Sequence, residues 1–317
     1  MPTDCSATTI ASTKTRTTLS SRVTHHKLSA LSRHLWEVLT FCLRRSPTSQ
    51  TEELNDEYIR VISIQGREYQ QYSIDNKISF EPVDEDEAER LDLQHRIFSR
   101  VFDNRLIFPP IPRLRRVLDC GYGTGSWAID VAEQNPDCEV IGVDIYPFMI
   151  PDDTPENLWL QVDDLNRPFT FSSNHFDLVH SRLLAAGINR SRWPSYIQDI
   201  KRVLKPGGWV QLVEIYFNVQ SDNGSITENH ALRQWSSQLM RSMEEIKDLR
   251  VGTRLKTLLT AEGFREVDTK MIPLPLSAWP NSMKPVQNFP CMFVSDENPG
   301  VDRERDDVRP GGCHTSW

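Results

Sequence analysis

The stretch "VLDCGYGTGSWA" (117–128) contains the glycine pattern that decides the fold. Apolar residues lead into Asp119, and glycines then alternate at Gly121, Gly123 and Gly125 before a helix-like run begins. Glycines permit a tight turn and let a ligand approach the backbone where a Cβ would collide. Free amides at the start of a helix can hydrogen-bond that ligand. The stretch therefore predicts a ligand-binding bend between a first strand and a first helix.

The spacing of these glycines distinguishes between nucleotide ligands. The dinucleotide fingerprint G-x-G-x-x-G would require a glycine at Ser126, whereas the chain reads G-x-G-x-G. The carboxylate of Asp119 suits a ligand with an ammonium and a sulfonium group and would be unfavourable beside a pyrophosphate. The bend therefore favours S-adenosylmethionine (SAM) as the cofactor, and an NAD-dependent oxidoreductase is a distant alternative.

Segments typical of strands and helices alternate after residue 115. A helix is predicted over 84–103, where acidic residues precede an apolar face. Alternation with short links predicts an α/β fold, a mostly parallel sheet with helices on both faces. In such sheets ligands bind at the carboxyl ends of the strands. The predicted strands are "RVLDCG" (116–121), "EVIGVDI" (139–145), "NLWLQVD" (157–163), "HFDLVHS" (175–181), "WVQLVEI" (209–215) and "FREVDTKMIPL" (264–274).

Carboxylates end the second and third of these strands. Asp144 closes "VIGVD", where an acid is placed to accept hydrogen bonds from both ribose hydroxyls. Asp163 and Asp164 follow the next strand, and a group there could meet the adenine amino group. Of that pair we favour Asp164, with the other carboxylate simply solvated.

Two residues at the ends of the fourth and fifth strands are candidates for catalysis. His180 could face the methyl acceptor, although a histidine that satisfies backbone groups in a loop is an equal alternative. Glu214 could line the same cleft. A general base is optional in methyl transfer, because the need for one depends on the acceptor.

Composition limits the class of protein. The length of 317 residues allows one large domain with appendages, and the net charge of −8 argues against direct nucleic-acid binding. The six cysteines show no C-x-x-C spacing, so no metal site is predicted and a reducing compartment is the default. We find no secretory signal and expect a cytoplasmic or nuclear location.

Both ends of the chain differ from the centre. Residues 1–65 are basic and rich in Ser and Thr, and 27–45 could form a basic amphipathic helix. A transit peptide or a membrane-surface anchor is one interpretation, but a disordered region is favoured. Its longest apolar stretch is far shorter than the ~20 residues of a transmembrane helix. Residues 281–317 are predicted to be a disordered or aberrant tail.

The order and spacing of several blocks resemble class I SAM-dependent methyltransferases, and among these the fungal LaeA-like methyltransferases. The resemblance covers 66–280, predicted here as the methyltransferase domain. The blocks are "GREYQQY", "DEDEAERLDLQH", "LDCGYGTGSWAID", "VIGVDIYP", "VDDLNRPF", "FDLVHSRLLAAGI", "LKPGGWVQLVE" and "LPLSAWP".

The resemblance implies a seven-stranded Rossmann-like sheet that holds SAM across its first strands. It implies that Asp119, Gly121, Gly123 and Gly125 hold the methionine part of SAM. The helix before the first strand, with His95, would help to cover the cofactor. The family continues past residue 280 to a final antiparallel strand, which the pattern here does not show, so that strand is expected to be missing.

The resemblance further implies that Asp144 holds the ribose and that Asp163 or Asp164 holds the adenine. Three functions follow from it. The first is methylation of a small molecule, such as a fungal secondary metabolite. The second is a LaeA-like regulator that acts through nuclear protein partners, and the third is an inactive or truncated family member.

Overall fold

The computed structural model describes residues 56–272, apart from 148, 152, 222 and 223, together with 274 and 291–295. The predicted basic helix at 27–45 lies outside the described residues. So do 281–290 and 296–317 of the predicted tail.

The centre of the fold is a seven-stranded sheet in the order β5-β4-β3-β6-β7-β9-β8. Its five neighbouring strands from β5 to β7 pair in parallel, and a separate two-stranded sheet is formed by β1 and β2. The predicted α/β fold with a mostly parallel sheet is confirmed. The strands are β1 (Val61–Ile64), β2 (Arg67–Gln70), β3 (Arg116–Cys120), β4 (Glu139–Asp144), β5 (Leu158–Val162), β6 (Phe176–Arg182), β7 (Leu204–Val213), β8 (Arg265–Lys270) and β9 (Cys291–Ser295).

Helices connect the parallel strands and precede the sheet. Their bounds are α1 (Gln71–Asp75), α2 (Glu85–Val101), α3 (Ser126–Gln134), α4 (Trp193–Val203), α5 (Ala231–Met243) and α6 (Leu255–Ala261), with 3₁₀ turns at Asp56–Ile59 and Val251–Thr253. Local chemistry fixes these bounds. Asp84 caps α2 by accepting a hydrogen bond from the Glu87 N–H, and three acidic residues fill the first turn of that helix.

The sheet separates two apolar clusters. One cluster lies on the side of α4 and α6, and the other lies on the side of α3. Helix α4 shows why the sequence packs in this way, since its buried residues recur at helical spacing and form one apolar face. Those residues are Trp193, Tyr196, Ile197, Ile200 and Val203.

The last strand corrects a prediction. The final antiparallel strand was expected to be missing, but β9 pairs antiparallel with both β7 and β8. The sequence "CMFVS" is short and is flanked by turn-forming residues, so its periodicity was too weak to show a strand. Within the described residues β9 covers the edge of β7 that would otherwise be open.

The start of the folded region also differs from the prediction. Strand β1 pairs antiparallel with β2 from Val61 to Gln70. The predicted boundary between residues 65 and 66 therefore falls in the turn of this hairpin, where Gln65 and Gly66 both have positive φ angles. A hairpin of four-residue strands carries too little pattern for a sequence-based boundary. In the part of the chain that the structure describes, no helix is long and apolar enough to cross a membrane.

Candidate functional site

The glycine bend (residues 121–125) joins β3 to α3 at the carboxyl edge of the sheet. Gly121, Gly123 and Gly125 have φ angles of 74°, 57° and 79°, which L residues adopt at a cost. The Gly121 N–H donates to the Val143 carbonyl at 2.7 Å and ties the bend to β4. Helix α3 has Gly125 as its N-cap and no side-chain cap. Its first amides therefore have no side-chain acceptor from the cap, which is the arrangement predicted for ligand binding.

Asp144 lies at the end of β4, next to this bend. Its Oδ2 accepts a hydrogen bond from the Gly123 N–H at 2.8 Å, and its Oδ1 accepts one from the Tyr146 N–H at 3.2 Å. Burial raises the pKa of Asp144 to about 6, and the backbone N–H donors oppose that rise. Each oxygen retains a second lone pair, so the carboxylate can still accept hydrogen bonds from a diol.

Asp163 and Asp164, which follow β5, lie in different environments. The Asp163 N–H donates to the Asp144 carbonyl, which places Asp163 beside the ribose candidate, and burial raises the pKa of Asp163. Asp164 instead closes a turn, because its Oδ1 accepts hydrogen bonds from both the N–H and the Nδ2 of Asn166. Asp164 was the favoured adenine partner, and the adenine contact of either residue stays a prediction. Asp163 is the one whose backbone bonds to Asp144, and its own Oδ1 accepts the Asp164 N–H at 2.8 Å.

Asp119 and His180 form a buried pair inside the sheet. The two residues are cross-strand neighbours on β3 and β6, and the His180 Nδ1 lies 2.7 Å from Asp119 Oδ1. The imidazole also stacks on Trp127, with ring centroids 3.6 Å apart. Burial lowers the pKa of His180, and the hydrogen bond with Asp119 opposes that effect.

The burial of this pair changes the roles that the sequence predicted for His180 and Asp119. Side-chain exposure is only 2% for His180 and 3% for Asp119, so neither group faces a cleft in which a methyl acceptor or an amino group could bind. His180 therefore does not occupy the position of a general base, and Asp119 acts beneath the glycine bend rather than on its surface. The alternative of a histidine that satisfies backbone groups in a loop does not describe His180 either, because it lies in β6 and pairs with a carboxylate.

Glu214 follows β7 and is also buried, at 1% exposure. Its Oε1 accepts a hydrogen bond from the Leu184 N–H at 2.8 Å, and its Oε2 accepts one from the Ala185 N–H at 3.2 Å. Burial raises the pKa of Glu214 to about 8. Its burial revises the catalytic role predicted for Glu214, because a side chain that is almost fully enclosed does not face a cleft in which a methyl acceptor could bind.

Helix α2 lies against the glycine bend and α3, as predicted for a covering helix. A Cβ on Gly123 would lie 3.4 Å from a methyl group of Leu91. Asp92 accepts a hydrogen bond from the Ser126 Oγ at 2.7 Å. One turn later the His95 Nε2 lies 2.8 Å from Asp130 Oδ2. Ser126, the residue that departs from the dinucleotide pattern, therefore links the glycine bend to helix α2.

A second covering element was missed by sequence reasoning. Gln70, at the end of β2, donates from Nε2 to the Ile145 carbonyl at 2.9 Å, directly after Asp144. Arg167 donates to the Tyr72 hydroxyl at 3.1 Å, just beyond Asp163 and Asp164. Residues 67–72 therefore lie over the ends of β4 and β5. The only signal in the sequence was the block "GREYQQY", whose position in space no local pattern reveals.

Comparison with known proteins identifies the family. Residues 93–269 match the family described as "Methyltransferase domain". The chain belongs to this methyltransferase domain family. The match includes the glycine bend, Asp144 and the two aspartates that follow β5, so the centre of the site lies within the matched residues.

Curated relatives of this methyltransferase domain are fungal. The chain is 37% identical over 224 residues to the secondary metabolism regulator laeA of Aspergillus fumigatus, which covers 68% of this chain and 57% of the relative. It is 35% identical over 205 residues to the protein-methionine methyltransferase laeA of Emericella nidulans, covering 63% and 54% of the two proteins. The chain therefore spans little more than half the length of these relatives.

Solved structures of methyltransferases are also similar. Human N-acetylserotonin methyltransferase in complex with SAM has a TM-score of 0.44 and 17% identity, covering 67% of this chain and 56% of that chain. Phosphoethanolamine N-methyltransferase 2 of Haemonchus contortus has a TM-score of 0.43 and 17% identity, covering 65% and 53%.

Among the described residues of this methyltransferase domain, no group of three or more His, Cys, Asp or Glu is placed to hold a metal ion.

Proposed function

We propose that this methyltransferase domain binds SAM at the glycine bend and transfers its methyl group. The observation that carries the proposal is the direct contact between the two predicted halves of the site. The carboxylate of Asp144 hydrogen-bonds the backbone of Gly123 at 2.8 Å, so the ribose candidate and the bend form one continuous surface.

The residues fit a cationic nucleoside. Gly121 and Gly123 are partly exposed, and any side chain at Gly121 would collide with Leu184. Asp144 would accept hydrogen bonds from the two ribose hydroxyls, and Asp163 would accept one from the adenine amino group. Gly125 and Asp119 are buried beneath this surface and would support the bend rather than contact the methionine part.

When bound, SAM would supply a sulfonium-linked methyl group, which passes to the acceptor as the methyl–sulfur bond breaks and S-adenosylhomocysteine is left. The chain orients the donor through the bend and Asp144, while α2 and residues 67–72 exclude water. Positioning of this kind can supply much of the rate enhancement, and a general base is optional. Neither His180 nor Glu214 is required as a base in this proposal.

Two acceptor classes remain as proposals. A small molecule of fungal secondary metabolism was the leading sequence prediction. The relatives, a secondary metabolism regulator and a protein-methionine methyltransferase, favour the second class, a regulator that methylates protein and acts through nuclear protein partners. The third hypothesis, an inactive truncated member, rested on a missing strand, and β9 removes that reason.

Titration calorimetry of the full chain with SAM tests cofactor binding. Asp144→Ala should weaken SAM binding at least about 10-fold, since a hydrogen bond to a charged group contributes about 1.5–3 kcal/mol. Asp137→Ala removes an exposed carboxylate between α3 and β4 and serves as the matched control. A folded wild-type chain that does not bind SAM at millimolar concentration would overturn the proposal.

The acceptor class is decided by incubating the chain and a fungal extract with SAM that carries a labelled methyl group. Label in the small-molecule fraction supports metabolite methylation, and label in the protein fraction supports the regulatory role. Asp144→Ala is the control that assigns the label to this chain. Equal labelling with wild type and with this variant would exclude both classes.

A further inference from the structure

The loop that follows β6 (residues 183–189, here the β6–α4 loop) contacts the glycine bend. Its first residue, Leu183, has a φ of 60°, a left-handed conformation that costs an L residue about 1–2 kcal/mol. The next residue, Leu184, reaches the bend, because a Cβ built on Gly121 would overlap its Cδ2. The loop is thus strained at its start and forms one side of the candidate cofactor site.

Glu214 holds the start of this loop. The two hydrogen bonds that it accepts, from the Leu184 and Ala185 N–H groups, are directly next to the strained residue. The Leu183 N–H in turn donates to the Val213 carbonyl at 2.8 Å, the residue before Glu214. Each hydrogen bond to the Glu214 carboxyl group contributes about 0.5–1.5 kcal/mol, so the two together are comparable with the backbone strain at Leu183.

Lys247 holds the far end of the same loop. Its ammonium group, in a residue only 1% exposed, donates to the Gly187 carbonyl at 2.9 Å and to Asn189 Oδ1 at 2.8 Å. The third donor reaches the Ile78 carbonyl at 2.7 Å, in the segment before α2. All three ammonium protons have acceptors, so Lys247 joins the loop to the segment that precedes α2.

We propose that Glu214 and Lys247 are positioning residues that fix the β6–α4 loop against the glycine bend and so determine how the methionine part of SAM is held. The hydrogen bonds of both side chains described above go to the loop and to Ile78, so both act through the loop and Leu184. This inference rests on the proposed function.

The burial of these two charges supports a role beyond stability. Desolvation raises the pKa of Glu214 to about 8 and lowers that of Lys247 to about 8, so burial disfavours the charged form of each group. Apolar residues of similar volume often stabilise a protein as well as buried charges do. Charged groups with several directional hydrogen bonds fix one backbone conformation, which an apolar contact does not.

The test compares two ligands on the full chain by calorimetry. SAM carries the methionine part, whereas 5′-methylthioadenosine keeps the nucleoside and the sulfur but lacks the amino acid. Glu214→Gln and Lys247→Met should each weaken SAM binding about 10-fold and change methylthioadenosine binding less than about 2-fold. The exposed positions Glu245→Gln and Lys256→Met are matched controls that should change neither affinity.

Hydrogen exchange gives an independent measurement. The Leu184 and Ala185 amides should exchange about 10-fold faster in Glu214→Gln than in wild type, because the amide side chain can accept only one of their two hydrogen bonds. Unchanged exchange, or an equal loss of both ligands in the folded variants, would overturn the inference.

A further variant tests the proposal even if the substitutions at Glu214 and Lys247 prevent folding. Leu184→Ala leaves both buried charges in place and removes only the side chain that reaches Gly121. It should show the same selective loss of SAM binding, and full SAM affinity in this variant would refute the loop's role. If wild type binds neither ligand, the proposed function itself fails, which is a distinct result.

Discussion

His180 Nδ1 lies 2.7 Å from Asp119 Oδ1, across the neighbouring strands β6 and β3 and beneath the glycine bend. Because both side chains are almost fully buried, each is the main polar partner of the other. Trp127 covers the imidazole from the first turn of α3. The pair therefore connects the strand that leads into the bend with the helix that leaves it.

Removal of the imidazole should destabilise the fold strongly. His180→Ala leaves the Asp119 carboxylate buried without that partner, and breaking a buried pair typically costs about 3–5 kcal/mol. Urea denaturation followed by circular dichroism measures the change in the free energy of unfolding. His230→Ala, at an exposed helix cap, is the comparison and should cost about 1 kcal/mol. A loss below about 1 kcal/mol at His180 would show that the pair is not stabilising.

The same histidine gives the fold a defined pH dependence. Burial lowers the pKa of His180 below its ordinary value of 6.5, so the unfolded chain binds its proton more readily than the folded chain. The stabilisation is complete above pH 6.5 and is lost as the pH falls toward the folded-state pKa, by at most about 1.4 kcal/mol per pH unit. His180→Asn, which cannot titrate, provides the reference. The difference in unfolding free energy between wild type and this variant should decrease between pH 6.5 and 5, and a difference that grows would have the wrong sign.

Local signals were sufficient for much of the fold. Helix α2 was predicted over 84–103 and spans Glu85–Val101, because a capping aspartate, acidic first-turn residues and an apolar stripe are adjacent in sequence. The parallel strands and the glycine bend were also predicted from residues that are adjacent in sequence. Asp144 was also placed at the end of its strand, beside the bend.

Non-local relationships account for the errors. Strand β9 is five residues long and is recognisable only through its pairing with β7 and β8. The burial of His180 depends on its register opposite Asp119, which lies 61 residues earlier. Glu214 likewise accepts hydrogen bonds from amides that lie 30 and 29 residues earlier in the sequence. A single sequence contains no periodic signal for these contacts.

The contact between Gly121 and Leu184 can be isolated with a second glycine. Gly121 and Gly207 both have a φ of 74°, but a Cβ on Gly207 would have no atom within 4 Å. Gly207→Ala should therefore cost only the backbone strain of about 1–2 kcal/mol, and Gly121→Ala should cost more. Leu184→Ala in the Gly121→Ala background should restore part of the difference, as measured by a double-mutant cycle of unfolding free energies. Equal losses at the two glycines would show that Leu184 does not pack against the bend.

Asp84 connects the first hairpin with α2, and its removal should loosen both. Its carboxylate accepts two hydrogen bonds from Arg67, both at 2.7 Å, and also accepts the N–H groups of Glu68 and Glu87. These hydrogen bonds, those from Arg67 above all, hold the pKa of Asp84 below its ordinary value, so its contribution is present above pH 3.8 and is lost as the pH falls further. Asp84→Ala removes a helix cap that contributes about 1 kcal/mol, so the Glu68 and Glu87 amides should exchange about 5-fold faster near neutral pH. Asp137→Ala is again the control, and unchanged exchange at both amides would contradict this role for Asp84.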